Sequence, residues 1–153
     1  MKNSVLAQHQ AHRLTQVGMV LFLLGLIVGL LVPLFAVPRL GLSAHLLAIL
    51  QGIFLLVVGL LWPRLNLTNQ ISRVVFWLLI YGCFSAWTAN MLGGLLGAGN
   101  TMLPIAAGQA HGSSFQEILI TILLRSAAIS LITSVVLILW GLRSIGDNQP
   151  KDP

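Results

Sequence analysis

Charge is scarce in this chain. Asp, Glu, Lys and Arg make up 7% of its 153 residues, against about 25% in a soluble domain. A chain of this length can bury a sound core, but here too little charge remains to cover the outside of one. The solvent around most of the surface is therefore lipid. Acids number only three. A proton-coupled exporter wants a carboxylate within the membrane, whereas Glu117 stands at the end of an apolar run and the first run holds no acid. There is one cysteine, Cys83, so no intrachain disulfide forms and the redox compartment is left unmarked. Set within an apolar run, it reads as a small packing residue. Cys/His metal spacing, a Gly-x-Ser-x-Gly elbow and a P-loop are all missing. The glycines Gly93-Gly94 and Gly97-Ala98-Gly99 close an apolar run rather than follow a strand, so they are no nucleotide site.

What is present is apolar: 57% of the chain. Four long runs cover residues 14–37, 42–62, 74–98 and 115–142. Each exceeds the roughly 20 residues that span a hydrocarbon core. In lipid the backbone must satisfy its own hydrogen bonds, so the runs are expected to be helices. The fold class is all-α, an integral membrane four-helix bundle forming a single domain over residues 1–153. The first run is too long for a secretory signal, whose apolar part has about 7–15 residues. Turns are expected at Pro38-Arg39-Leu40-Gly41, between Pro63 and Arg73, and between Gly99 and Ser114, and a short polar tail from Ser144.

The net charge of +5 does not mark a nucleic-acid partner, because the eight Lys and Arg are scattered singly and a nucleic-acid footprint needs them clustered. They mark orientation instead. Lys2, Arg13, Arg64, Arg73, Arg143 and Lys151 fall on one side and Arg39 alone on the other. The positive-inside rule then puts both termini in the cytoplasm, across a bacterial-type inner membrane. Small residues form stripes: Gly18, Gly25 and Gly29 on the first run, Gly82, Ala86, Ala89, Gly93 and Gly97 on the third. Such stripes let helices approach closely, either within the chain or between copies of it.

Polar residues inside a membrane mark function by default. His45, Gln51, Tyr81, Ser85, Thr88, Asn90, Glu117 and Arg125 all fall in the outer half of the spans, which points to one polar pocket near the outer face. His45 is either an interfacial histidine bonded to a carbonyl or an axial haem ligand. Gln51 follows it by six residues, a rotation of about 120° around the helix. Tyr81, Ser85 and Thr88 share a face. Arg125 costs about 2.5–3.5 kcal/mol on insertion scales and wants an acidic partner: a haem propionate, Glu117 of a neighbouring copy, or, by snorkelling, the interface.

A family resemblance enters on particular residues. Pro38-Arg39-Leu40-Gly41-Leu42-Ser43-Ala44-His45, Gln51-Gly52, Gly59-Leu60-Leu61-Trp62, Tyr81-Gly82, Trp87, Met102-Leu103-Pro104-Ile105-Ala106, Phe115-Gln116-Glu117 and Trp140-Gly141-Leu142-Arg143 together resemble hydroxylaminobenzene mutase. More distantly, the plan resembles the membrane-bound styrene oxide isomerase. The resemblance implies an isomerase that converts hydroxylaminobenzene to 2-aminophenol, and, from the more distant relative, a haem b cofactor and a homotrimer. It implies His45 as the ligand of haem iron and Gln51 as a pocket residue. The chain departs from the pattern at Gln51 and Ala86, where Asn is usual, at Asn90, near a Tyr, at Gly82, near an Asp, and at Arg125.

The reading is a membrane isomerase acting on a small aromatic N-hydroxylamine or epoxide. Haem iron is the expected Lewis acid, His45 its ligand and Arg125 a further haem contact. Gln51, Tyr81 and Asn90 are the expected substrate contacts, and Phe54, Phe84 and Trp87 the wall for the ring. The other readings are a non-catalytic membrane subunit or haem carrier, and a small transporter.

Overall fold

The computed structural model describes residues 2–143. Its elements in order are α1 (Lys2–Leu31), a 3-10 turn at Val32–Leu34, α2 (Pro38–Leu61), a 3-10 turn at Trp62–Arg64, α3 (Asn69–Leu96), the single turn α4 (Pro104–Ala107) and α5 (Ser114–Arg143). Among the described residues there is no strand. The four long helices are each long and apolar enough to cross a membrane.

The spans stand where the apolar runs predict, but several ends differ. α1 starts at Lys2, well before the apolar run at residue 14, because nothing in its polar first turns breaks a helix. It stops at Leu31 rather than at Pro38. Pro33 sits in the 3-10 turn that follows, and proline has no N–H with which to continue an α-helix. The turn expected at Pro38 to Gly41 therefore comes earlier. Pro38 is the first residue of α2, a position where its fixed φ and missing donor cost nothing. Thr68 caps α3 through its side chain, which accepts from the Ile71 N–H at 3.4 Å. Gly97 ends α3 in the left-handed region at φ 65, and Ala98 N–H reaches back to Gly93 O at 3.0 Å, a Schellman ending. The tail expected from Ser144 lies outside the described residues.

The helices pack as two antiparallel hairpins, α1 on α2 and α3 on α5, joined chiefly through α2 and α3. α5 packs on α3 and makes no comparable contact with α1 or α2. The core follows the joining seam: Leu14, Leu21, Ala48, Leu55, Leu79 and Cys83 are all fully buried. Both small-residue stripes are used inside the chain. A methyl on Gly18 would lie 2.8 Å from Gly52 O, and one on Gly52 would lie 2.8 Å from Gly18 O. On α3, Gly82 meets Leu131 of α5 in the same way, at 2.7 Å. The stripes thus account for close packing within one chain and leave no argument for a second copy. At the end bearing the termini, buried Gln10 accepts from Trp62 Nε1 at 3.2 Å and Ser72 Oγ at 2.7 Å, tying three helical segments together.

Candidate functional site

His45 lies two turns into α2 and is half-buried against α1. Its Nδ1 is 2.8 Å from the carbonyl oxygen of Gly25. A carbonyl only accepts, so Nδ1 carries the proton of this bond, and in the neutral ring Nε2 is then the nitrogen with the lone pair. The ring rests where Gly29 has no side chain: a methyl there would stand 2.6 Å from Nδ1 and 2.7 Å from Cε1. Gly25 and Gly29 are thus the two halves of one seat, the first accepting the proton and the second making room for the ring. A bond that orients an imidazole and directs its other nitrogen outward is what a metal-ligating histidine has. It is also the bonded interfacial histidine of the plainer reading, and the free Nε2 joins the two.

Gln51 is on a different face of α2, as the helical offset requires. With Ala44 and Ala48 it faces inward, and all three are buried. Its Oε1 has no hydrogen-bond partner, and neither has the buried indole Nε1 of Trp87. Orphaned polar atoms in a core are rare and call for an explanation. Trp87 packs against both the main core and the small cluster of Val28, Phe35 and Ala44. Phe84 meets it edge-on at 6.3 Å, and Phe54 belongs to the same cluster. The α2–α3 seam therefore holds one open acceptor, one open donor and an aromatic wall. Sequence reasoning treated Trp87 only as wall, because an indole reads as apolar until its N–H is found without a partner.

The remaining expected residues disperse. Asn90 is buried, and its amide donates to Ala86 O of its own helix at 3.0 Å. Tyr81 is 48% exposed and its hydroxyl meets Ser126 of α5 at 2.8 Å, so it links α3 to α5 on the outer surface. Ser85 is buried and its hydroxyl meets that of Tyr81, as their shared face predicts. Arg125 is exposed on α5, a helix that does not pack on the pair holding His45. His111 is exposed in the connection before α5. Glu117 is a loop clamp: its carboxylate accepts from the backbone N–H groups of Gly99 at 2.8 Å, Thr101 at 3.0 Å, and Asn100 and Gly112 at 3.2 Å. With four donors of its own chain around it, Glu117 is not placed to pair with Arg125. Among the described residues no three His, Cys, Asp or Glu side chains gather to hold a metal ion. A haem asks for less, since the porphyrin supplies four ligands and the protein one or two, and the oriented His45 fits that demand.

The family described as styrene oxide isomerase matches residues 10–143. Hydroxylaminobenzene mutase HabB of Ectopseudomonas oleovorans is 48% identical over 142 residues, covering 93% of this chain and 87% of the relative. Hydroxylaminobenzene mutase HabA of the same organism is 42% identical over 125 residues, covering 82% of this chain and 93% of the relative. No solved structure matches. The chain belongs to the styrene oxide isomerase family, and with mutases as relatives at this identity it is an isomerase.

Proposed function

We propose that this member of the family rearranges a small aromatic N-hydroxylamine, such as hydroxylaminobenzene, to the corresponding 2-aminophenol, with haem b held by His45. The observation that carries the reaction is the 48% identity to a hydroxylaminobenzene mutase across 93% of the chain. The reaction is a true isomerisation: the N–O bond breaks, a C–O bond forms at the ortho carbon, the ring gives up one proton and the nitrogen gains one. No external oxidant or reductant is needed.

The free Nε2 of His45, directed by the bond to Gly25 O, supports the cofactor. Bound there, haem supplies a Lewis-acidic iron that polarises the substrate oxygen. The chain's own residues do the rest. The unpaired Oε1 of Gln51 accepts a hydrogen bond from the substrate N–H or O–H. The unpaired Nε1–H of Trp87 donates one to the oxygen. Phe54 and Phe84 hold the ring by apolar contact, and the surrounding core excludes water, which strengthens both hydrogen bonds. Asn90 is bonded back to its own helix and has no part in this reading. Tyr81 and Arg125 have no part in this reading, because their partners and exposure place them on the α3–α5 side.

His45 is only half-buried, so the residues beside it that would hold a haem leave room for cover from outside the chain. A neighbouring copy that covers it completes the pocket, and a homotrimer is the assembly this family reading carries. The protein is a multi-pass membrane protein by its four spans, placed in a bacterial-type plasma membrane. The test is a visible spectrum of detergent-purified protein with and without phenylhydroxylamine, beside an assay of 2-aminophenol. Wild-type protein is expected to show a Soret band and turnover. His45→Ala is expected to lose both while still inserting, since removal of a polar side chain makes the span more apolar. Turnover without any Soret band would remove haem from the reading, and a band without turnover would turn the protein into a carrier.

A further inference from the structure

One face of α5 is covered by nothing among the described residues. Ile118, Ile122, Arg125, Ile129, Ile132 and Val136 are all exposed and recur every three or four residues, one stripe along the helix. Arg125 is the one charged residue in it. A guanidinium this far into a span needs an anion. α5 has 30 residues, which at about 1.5 Å each matches the roughly 40–45 Å of a bilayer with its headgroups. Arg125 then stands about 16 Å inward from the start of the helix.

Among the described residues no acid pairs with it. The chain has three acids. Glu117 lines the same cavity as Arg125, but its carboxylate already accepts four backbone N–H groups and the Thr101 hydroxyl. Asp147 and Asp152 follow Arg143 in the sequence and lie outside the described residues. A second copy inserted in the same direction offers the same engaged Glu117 at the same level. A protein surface from another copy laid over this stripe would therefore bury an unpaired guanidinium, which is strongly unfavourable. The stripe faces lipid, and subunit contacts use other faces.

Lipid does carry an anion at this end of the helix. Arg125 lines a cavity of about 310 Å³ with Thr101, Glu117, Ile118, Thr121 and Ile122. Side chains on a helix lean toward its N-terminus, so the guanidinium extends along the groove toward Thr121 and its mouth at Thr101 and Glu117. Arginine donors suit the acceptor-only oxygens of a phosphate, and the hydroxyl of Thr121 adds one more donor, while that of Thr101 is taken by Glu117. The Glu117 carboxylate at the mouth has its oxygens engaged by the loop but keeps its charge, which repels a further anion and favours a cationic group beyond the phosphate by Coulomb attraction alone. Ile122 beside Arg125, with Ile129 and Ile132 below it, offers an apolar track for an acyl chain. We propose that this groove is a phospholipid site in the leaflet at the N-terminal end of α5, with the phosphodiester on Arg125 and an ethanolamine headgroup beside Glu117.

The experiment is native mass spectrometry of delipidated protein titrated with phosphatidylethanolamine, phosphatidylglycerol or inorganic phosphate. Its readout is bound mass, which depends on neither activity nor haem. Wild-type protein is expected to retain phosphatidylethanolamine in preference to phosphatidylglycerol, and excess inorganic phosphate not to displace it. Arg125→Leu, which inserts more readily than the parent, is expected to hold the lipid about tenfold or more weakly, the effect of losing one charge-assisted hydrogen bond. Arg125→Lys restores part of the affinity. Haem content and oligomer mass stay the same in all three. Equal lipid retention in wild type and Arg125→Leu overturns the site. Loss of haem from Arg125→Leu with lipid retention intact assigns the arginine to a propionate instead, and dissociation of the oligomer assigns it to a protein contact. Preference for phosphatidylglycerol overturns the headgroup assignment.

Discussion

A single absent methyl decides how His45 sits. A methyl on Gly29 would lie 2.6 Å from Nδ1, and the flat ring cannot bend away while keeping its bond to Gly25 O. Gly29→Ala must therefore shift the imidazole, at about 1–3 kcal/mol for overpacking. Gly25→Ala is the matched control, because its methyl would meet Ala48 and Ile49 at 3.0 Å and not the ring. Both variants are expected to loosen the α1–α2 hairpin, but only Gly29→Ala should also lower haem per chain, read as the ratio of Soret to protein absorbance. Equal ratios would mean the seat does not set the ligand. Gln51 gives a prediction of the opposite sign. Its Oε1 is buried without a partner, so Gln51→Leu removes a desolvated acceptor and should raise stability by about 1–3 kcal/mol while turnover falls. A thermal melt in detergent checks it, and a less stable variant would show that Oε1 has a structural partner. His45 and Gln51 were legible in the sequence as polar residues in apolar runs. The seat was not, because pairing Gly25 with a residue twenty positions later depends on the register of two helices, which periodicity leaves free.

Among the elements, the connection from α3 to α5 is held in an unusual way. Residues 97–113 carry three glycines with positive φ, Gly97, Gly99 and Gly108, and an unconstrained segment of that kind would be mobile. One side chain constrains it. Glu117 gathers the N–H groups of Gly99, Asn100, Thr101 and Gly112, and Asn100 Nδ2 donates to Gly108 O at 2.9 Å. α4 then lays Ala107 against Val37 and Leu40, capping the end of the bundle nearest His45. Glu117→Ala should speed hydrogen exchange at those four amides by about a hundredfold, as the loss of hydrogen bonds to a charged acceptor implies, while amides within α3 and α5 stay protected. Unchanged exchange would mean the loop holds without its clamp. Sequence reading located the spans because apolar length is the membrane's own requirement. It placed α1's start too late because an apolar run measures lipid contact, and a helix continues beyond lipid until something breaks it. It weighed Glu117 of a neighbouring copy as a partner for Arg125 because the membrane offers few other acids. Backbone donors from a distant loop cannot be counted from a sequence.

The whole molecule carries its charge at one end. Antiparallel packing puts the start of α1, the end of α5 and the α2–α3 connection together and leaves residues 32–37 and 97–113 at the other end. Five of the seven cations among the described residues, Lys2, Arg13, Arg64, Arg73 and Arg143, belong to the first end, and only Arg39 flanks the other. Translocation retains cationic flanks in the cytoplasm, so the capped end should face outward. The structure supplies good probes. Gln109 and Gln70 are exposed at opposite ends, and neither demands the backbone conformation of Gly108, whose φ is 62. The native thiol, Cys83, is fully buried and should stay silent, and Cys83→Ser removes it as a further control. In intact cells a membrane-impermeant maleimide is expected to label Gln109→Cys and to leave Gln70→Cys unlabelled until the membrane is permeabilised. The opposite pattern would overturn the orientation. It would also put the Glu117-clamped cap, and the approach to His45 beneath it, on the cytoplasmic side, where a substrate made inside the cell would meet them first.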